Sequence, residues 1–211
     1  KDLPMTAAPR ARRLTARRRI KRFAAESRDI EQTHVALGFR TFGRRDSRRY
    51  ALRVMNAILG ENMSSRLFQV VRETHGMAYS IHSMCQLFSD TGALFVSAGL
   101  DRKRTVRAMD LIARELKKMK DKPVSARELK RAKDYVIGHI RLGLESTSHQ
   151  MMWLGDNILA YGEFINPDNV IERIQAVTVK DVQDVAREFL KQELMSIAVV
   201  GPEQIVGNRD R

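Results

Sequence analysis

Apolar positions first fall into step at Val35, Leu37 and Phe39, which alternate with Ala36, Gly38 and Arg40. That period of two predicts a half-buried strand beginning near Glu31. The period then lengthens. Ala51, Val54, Met55 and Ile58 fall on one face of a helix, with Asp46 or Ser47 as its cap and Gly60 near its end. A second helix is expected over residues 66–75, capped by Ser64 or Ser65 and stopped by Gly76, the residue best suited to a left-handed turn. Residues 78–88 and 93–100 read as two strands joined by the turn Ser89-Asp90-Thr91-Gly92. Leu94, Val96, Ala98 and Leu100 mark the covered face of the second.

The rest is mostly helical. Asp101 is placed to cap a helix whose stripe is Val106, Met109, Ala113 and Leu116. Ser125 and Glu128 form a capping box, each side chain satisfying a free backbone donor, and open a helix to about Leu144. Further helices are expected over residues 147–161, from Asn166-Pro167, and from Thr178 with Asp181 to Leu190. A strand over residues 195–200 ends at Gly201-Pro202. A hairpin with helices segregated from it predicts an α+β domain: a mainly antiparallel sheet with helices packed on one face, in two layers.

Before residue 30 the chain has little core-forming pattern, apart from a short strand expected around residues 14–20. Residues 1–29 read as a basic arm or interdomain linker, 30–202 as the domain and 203–211 as a tail. Charge supports that division. The formal net charge is +13, but residues 1–49 hold fifteen of the 38 Lys and Arg and five of the 25 Asp and Glu. The body is nearly neutral, and the eight basic residues from Arg10 to Arg22 face no acidic one. This run lacks interleaved aromatics, which disfavours nucleic acid as its partner and favours a solvated connector. No stretch approaches the ~18 apolar residues of a membrane helix, so no membrane partner is expected. Cys85 is the single cysteine, which excludes an internal disulfide and leaves cytoplasm and periplasm both open. A first residue of Lys1 reads as a chain begun inside a longer product or trimmed.

Chemistry is sparse. His34, His75, His82, His139 and His149 form neither H-E-x-x-H nor H-x-x-E-H. Glu145 and His149 share a helix face, but two ligands do not make a zinc site. No nucleophile elbow or phosphate loop is present. Cys85 falls in a strand beside Ile81 and Leu87 and reads as a packing residue.

Residues 59–83 carry the strongest signal. LGENMSSRLFQVVRETHGMAYS resembles the signature of the C-terminal domain of insulinase/pitrilysin-type zinc metallopeptidases, a group that includes the processing peptidases. Glu31-Gln32 match the start of that domain, and Asp90 and Gly92 its hairpin. Glu128-Leu129 with Ala132-Lys133, Leu144-Glu145-Ser146, and Val177-Thr178 with Asp181-Val182 match further motifs in order. The matches cover about residues 30–202.

The resemblance implies a role. In active members an arginine and a tyrosine seven positions apart reach from this domain into a shared active site; here they are Arg72 and Tyr79. The order helix, Gly76, strand allows both to converge, and a guanidinium and a phenol suit a peptide carbonyl or the oxyanion it becomes. The alternative is an Arg72–Glu73 ion pair with Tyr79 merely packed. The family's zinc lies in an N-terminal domain that this chain lacks, so the chain by itself is expected to hold no metal or cofactor and to be inactive. The implied partners are peptide substrate and a zinc-bearing domain or subunit, as a homo- or heterodimer where the halves are separate chains. The implied function is the substrate-binding half of a zinc metalloendopeptidase; the alternative is a non-catalytic scaffold or partner subunit.

Overall fold

The computed structural model describes residues 22–202. The strand expected around residues 14–20, most of the basic run and the 203–211 tail lie outside them. Strands β1 (Phe23–Ser27), β2 (Gln32–Thr41), β3 (Ala78–Leu87), β4 (Gly92–Asp101) and β5 (Met195–Gly201) form one sheet in the order β1-β5-β2-β4-β3. Only β1–β5 is parallel; the other three pairings are antiparallel. Six α-helices follow the chain: α1 (Arg49–Asn56), α2 (Thr105–Asp121), α3 (Ala126–Gly143), α4 (Thr147–Tyr161), α5 (Pro167–Ala176) and α6 (Val179–Phe189). Two π-helical segments, π1 (Ala57–Glu61) and π2 (Phe68–Thr74), lie between α1 and β3. The α+β architecture expected from the sequence is the one observed.

One sheet face builds the core. Val35, Leu37 and Phe39 of β2, Ile81 of β3 and Leu94, Val96, Ala98 and Leu100 of β4 are buried with Leu52 and Met55 of α1, Ile112 of α2 and Val182 and Val185 of α6. Each fully buried leucine contributes about 2 kcal/mol of transfer free energy. On the other face His34, Arg40, Ser80, His82, Met84 and Gln86 are exposed.

The caps explain several boundaries. Ser125 Oγ accepts the Glu128 N–H while the Glu128 carboxylate takes the Ser125 N–H, and Thr178 and Asp181 repeat the exchange on α6. Asn166 Oδ1 accepts the Asp168 N–H at α5. Other caps differ from expectation. Arg48, not Asp46 or Ser47, precedes α1, although Asp46 Oδ1 accepts the Arg48 N–H. Asn62, rather than Ser64 or Ser65, orders the turn before π2 by accepting the Ser64 N–H. Asp101 belongs to β4, and its carboxylate takes the Lys103 N–H ahead of a helix that starts at Thr105.

The covered stripe of α2 is Ala108, Ile112, Leu116 and Met119, whereas Val106 is 74% exposed and Ala113 is exposed. Both stripes contain Leu116, so periodicity alone left the rotation open; packing against α6, π2 and the sheet sets it. The segment Phe23–Ser27, read as part of the arm, is the edge strand β1. All five of its residues are exposed, so it carries no alternation, and it joins the sheet through backbone pairing with β5.

Glu128 has a second task. Its carboxylate receives Arg66 Nε at 2.8 Å and Nη2 at 3.1 Å, tying the start of α3 to the chain just before π2. The Arg66 hydrogen bond holds the Glu128 carboxyl well below its ordinary value of 4.5, at about 2. A depressed carboxylate contributes stability above its unfolded value and loses it as pH falls through the folded one. Glu128→Gln is therefore expected to cost about 2 kcal/mol near pH 7. The gap to wild type should close as pH drops from about 4.5 toward 2. Urea unfolding at several pH values checks this; a gap independent of pH would refute it.

Candidate functional site

The segment linking π2 to β3 positions both residues singled out from the sequence. Arg72 sits in the last turn of π2, and its carbonyl accepts the N–H groups of His75 and Gly76. Gly76 has φ +57°, the left-handed conformation that costs a residue with a Cβ about 1–2 kcal/mol. The chain then reverses. Met77 is buried, its N–H donates to Val71 O, and its carbonyl accepts the Asp101 N–H. The end of π2 is thereby fixed to the start of β3.

Tyr79 follows at a break in the strand. Ala78 pairs with Leu100 and Ser80 with the adjacent Gly99, so Tyr79 is the extra residue of a β-bulge. A bulge leaves one residue outside the ladder and re-aims its side chain. Here Ala78 and Ile81 are buried, while Tyr79 and Ser80 between them are both exposed. Tyr79 keeps 60% of its surface free. The bulge shows in the burial pattern, where covered positions lie three apart from Ala78 to Ile81 and two apart from Ile81 to Ser83; because Ser83 is polar, the sequence alone does not display it.

Neither side chain is spent on structure. Among the described residues Arg72 forms no ion pair, with Glu73 or any other carboxylate; its guanidinium lies 4.9 Å over the Phe68 ring. That stacking restrains a flexible side chain while leaving its hydrogen-bond donors unused. The Tyr79 hydroxyl has no hydrogen-bond partner among the described residues. Clefts of about 260 to 470 Å³ lie among the helices and on the helix-facing side of the sheet, and Arg72 and Tyr79 line none of them. The two residues belong to an open surface.

The remaining motif residues are mostly structural. Ser65 and Leu67 are buried, and Arg66 meets Glu128 across 62 positions, so two separate motifs lock together. Ser146 caps α4 and Thr178 caps α6. Cys85 packs partly buried against the core, and burial pushes its thiol up to about 12, away from nucleophilic use. No three His, Cys, Asp or Glu side chains gather to ligate a metal among the described residues. Zinc therefore does not fit this chain's described residues, and no chemical step here runs through it.

Residues 2–136 match the family model described as the peptidase M16 inactive domain. An uncharacterized zinc protease of Mycobacterium tuberculosis is 42% identical over 181 residues, covering 86% of this chain and 41% of that protein. A protein of Bacillus subtilis, likewise named an uncharacterized zinc protease, is 33% identical over 175 residues, covering 83% and 42%. The chain thus spans about two fifths of the length of these relatives. A crystal structure of a protease from Helicobacter pylori superposes with a TM-score of 0.77 at 21% identity, over 85% of this chain and 44% of the other, a likeness of fold.

Proposed function

This chain belongs to the peptidase M16 inactive-domain family, the inactive C-terminal domains of zinc proteases, and on that premise we propose that it is the substrate-binding half of a zinc metalloendopeptidase. The observation that carries the reading is the pair of unspent donors, Arg72 and the bulged Tyr79, on the two sides of the Gly76 turn. A planar guanidinium and a phenol donate to a peptide carbonyl and hold more tightly the oxyanion that forms when water adds to it. Zinc and the attacking water belong to the other half of the protein. The outer edge of β3, one of the sheet's two end strands, offers an extended peptide backbone groups to pair with.

Helix α4 supports a domain built to be covered. Its C-terminal end is held by Arg45, which donates to Ala160 O and Tyr161 O, and by Trp153, which donates to Ile165 O. Its outward side exposes Met151, Met152, Leu154, Ile158 and Leu159. So much apolar surface on one helix marks an interaction face. The zinc-bearing half, whether in the same chain or in a partner subunit, is the occupant proposed here.

Metal content and hydrolysis, measured separately on the whole protein and on residues 1–211, test the proposal. The expected result is one zinc per molecule and peptide cleavage for the whole protein, and neither for the part. A whole protein with neither would favour the scaffold or partner-subunit reading instead.

A further inference from the structure

The exposed sheet face, opposite the buried one, holds a second group of polar side chains beside Tyr79 that are unspent among the described residues. Register places His34, Gly99 and Ser80 side by side on β2, β4 and β3. Gln32, two residues before His34, shares that face. All three side chains lean over Gly99. A Cβ on Gly99 would lie 2.8 Å from Gln32 Oε1, 3.1 Å from Ser80 Oγ and 3.7 Å from His34 Cε1. The missing side chain is what lets them gather. None of the three makes a side-chain hydrogen bond among the described residues. Ser80 directly follows the bulge, so this niche and Tyr79 adjoin.

We propose that Gln32, His34 and Ser80, gathered over Gly99, form a specificity subsite that hydrogen-bonds a polar, uncharged side chain of a peptide bound beside Tyr79. The inference rests on the substrate-binding reading above. Its chemistry follows from the donor inventory. Gln32 offers an amide oxygen and an NH₂, Ser80 a hydroxyl that gives and accepts, and neutral His34 one nitrogen of each kind. Together they present both donors and acceptors, the complement of a primary amide. They carry no formal charge when His34 is neutral. The carboxylates that register brings alongside, Asp101 and Glu26, are engaged by Arg104 and Arg28. An amide side chain thus gains several hydrogen bonds here, whereas a leucine of similar shape leaves the same groups facing an apolar surface.

The test uses the whole protein and fluorogenic peptides in which Asn or Leu is walked through each position around the cleaved bond. Wild type is expected to favour Asn over Leu about tenfold in kcat/KM at one position, the ratio expected when a few neutral hydrogen bonds are gained. Gly99→Ala, which pushes a methyl among the three, should bring that ratio close to one. Ser80→Ala and Gln32→Met remove hydrogen-bonding groups without adding bulk at Gly99, and each should lower the ratio. Met84→Ala, on the same face but beside Phe95, should leave the ratio as it is. A wild type that discriminates nowhere, or variants that keep the wild-type ratio, would overturn the subsite. If the whole protein cleaves no peptide, the substrate-binding reading fails separately. The same Asn-to-Leu ratio, read in Kd from anisotropy of labelled peptides, then decides the subsite, and a ratio of one sinks it.

Discussion

Replacing Tyr79 by phenylalanine in the whole protein should lower kcat for a good peptide about 100-fold, with KM and zinc content little changed. The change removes one hydroxyl and keeps the ring, so the bulge that places residue 79 has no reason to relax. Loss of a single donor to an oxyanion costs about 10²- to 10³-fold in other hydrolases. The lower end applies here because the side chain is 60% exposed, and water can partly take its place where the site is not closed. An interaction made mainly in the transition state lowers kcat and kcat/KM together and leaves KM alone. Arg72→Ala should behave similarly, and Arg72→Lys should rescue it poorly. A lysine keeps the charge but loses both the stacking on Phe68 and the planar fork of donors. If both Tyr79→Phe and Arg72→Ala turn over peptide at the wild-type rate, the assignment of these donors fails.

Much of the fold around this candidate site is legible in the sequence. The left-handed turn at Gly76 is the one favoured by a glycine placed after a helix and before a strand, where no Cβ opposes it, and it is observed. Strands β2 and β4 showed plain alternation because one face is buried and the other open. The capping boxes at Ser125 and Thr178 were readable because their partners lie three residues apart, within one turn of helix. What escaped depends on distant parts of the chain. The extra residue at Tyr79 is defined only against Gly99, and the niche of Gln32, His34 and Ser80 only against three aligned strands. The edge strand β1 buries no side chain, and hydrophobic patterning cannot register a strand whose residues are all exposed. The rotation of α2 differs from the sequence expectation for a related reason. Its sequence carries two apolar stripes, and only packing chooses between them. The Arg66–Glu128 ion pair explains why two matched motifs occur together, yet nothing local in either announces the other.

The signature glycine at position 60 should prove the least replaceable residue of its turn: Gly60→Ala is expected to destabilise the protein by about 2–3 kcal/mol, the upper part of the usual range of about 1–3 kcal/mol for forcing an extra methyl into a packed interior. A Cβ there would lie 2.8 Å from both the backbone nitrogen and Oγ of Ser83 and 3.0 Å from its Cβ. Ser83 cannot yield, because it is 2% exposed in β3, a strand hydrogen-bonded to β4 along its length. The turn cannot easily yield either. Leu59 beside it is fully buried, and the Glu61 carboxylate is held by the Arg53 guanidinium and the Asn56 amide. Moving π1 would also disturb Asn62, which accepts the Ser64 N–H ahead of Arg66 and its Glu128 clamp. Gly138→Ala supplies the contrast. It lies within α3 with nothing inside 4 Å of its added Cβ, and alanine's higher helix propensity should stabilise it by about 0.5–1 kcal/mol. Thermal unfolding followed by circular dichroism would read the two substitutions as shifts of opposite sign, with Gly60→Ala lower by about 5–10 °C. A Gly60→Ala protein that melts with wild type would mean that π1 and β3 can separate freely, and the close approach of turn to strand would then have no part in holding β3 and its bulge in place.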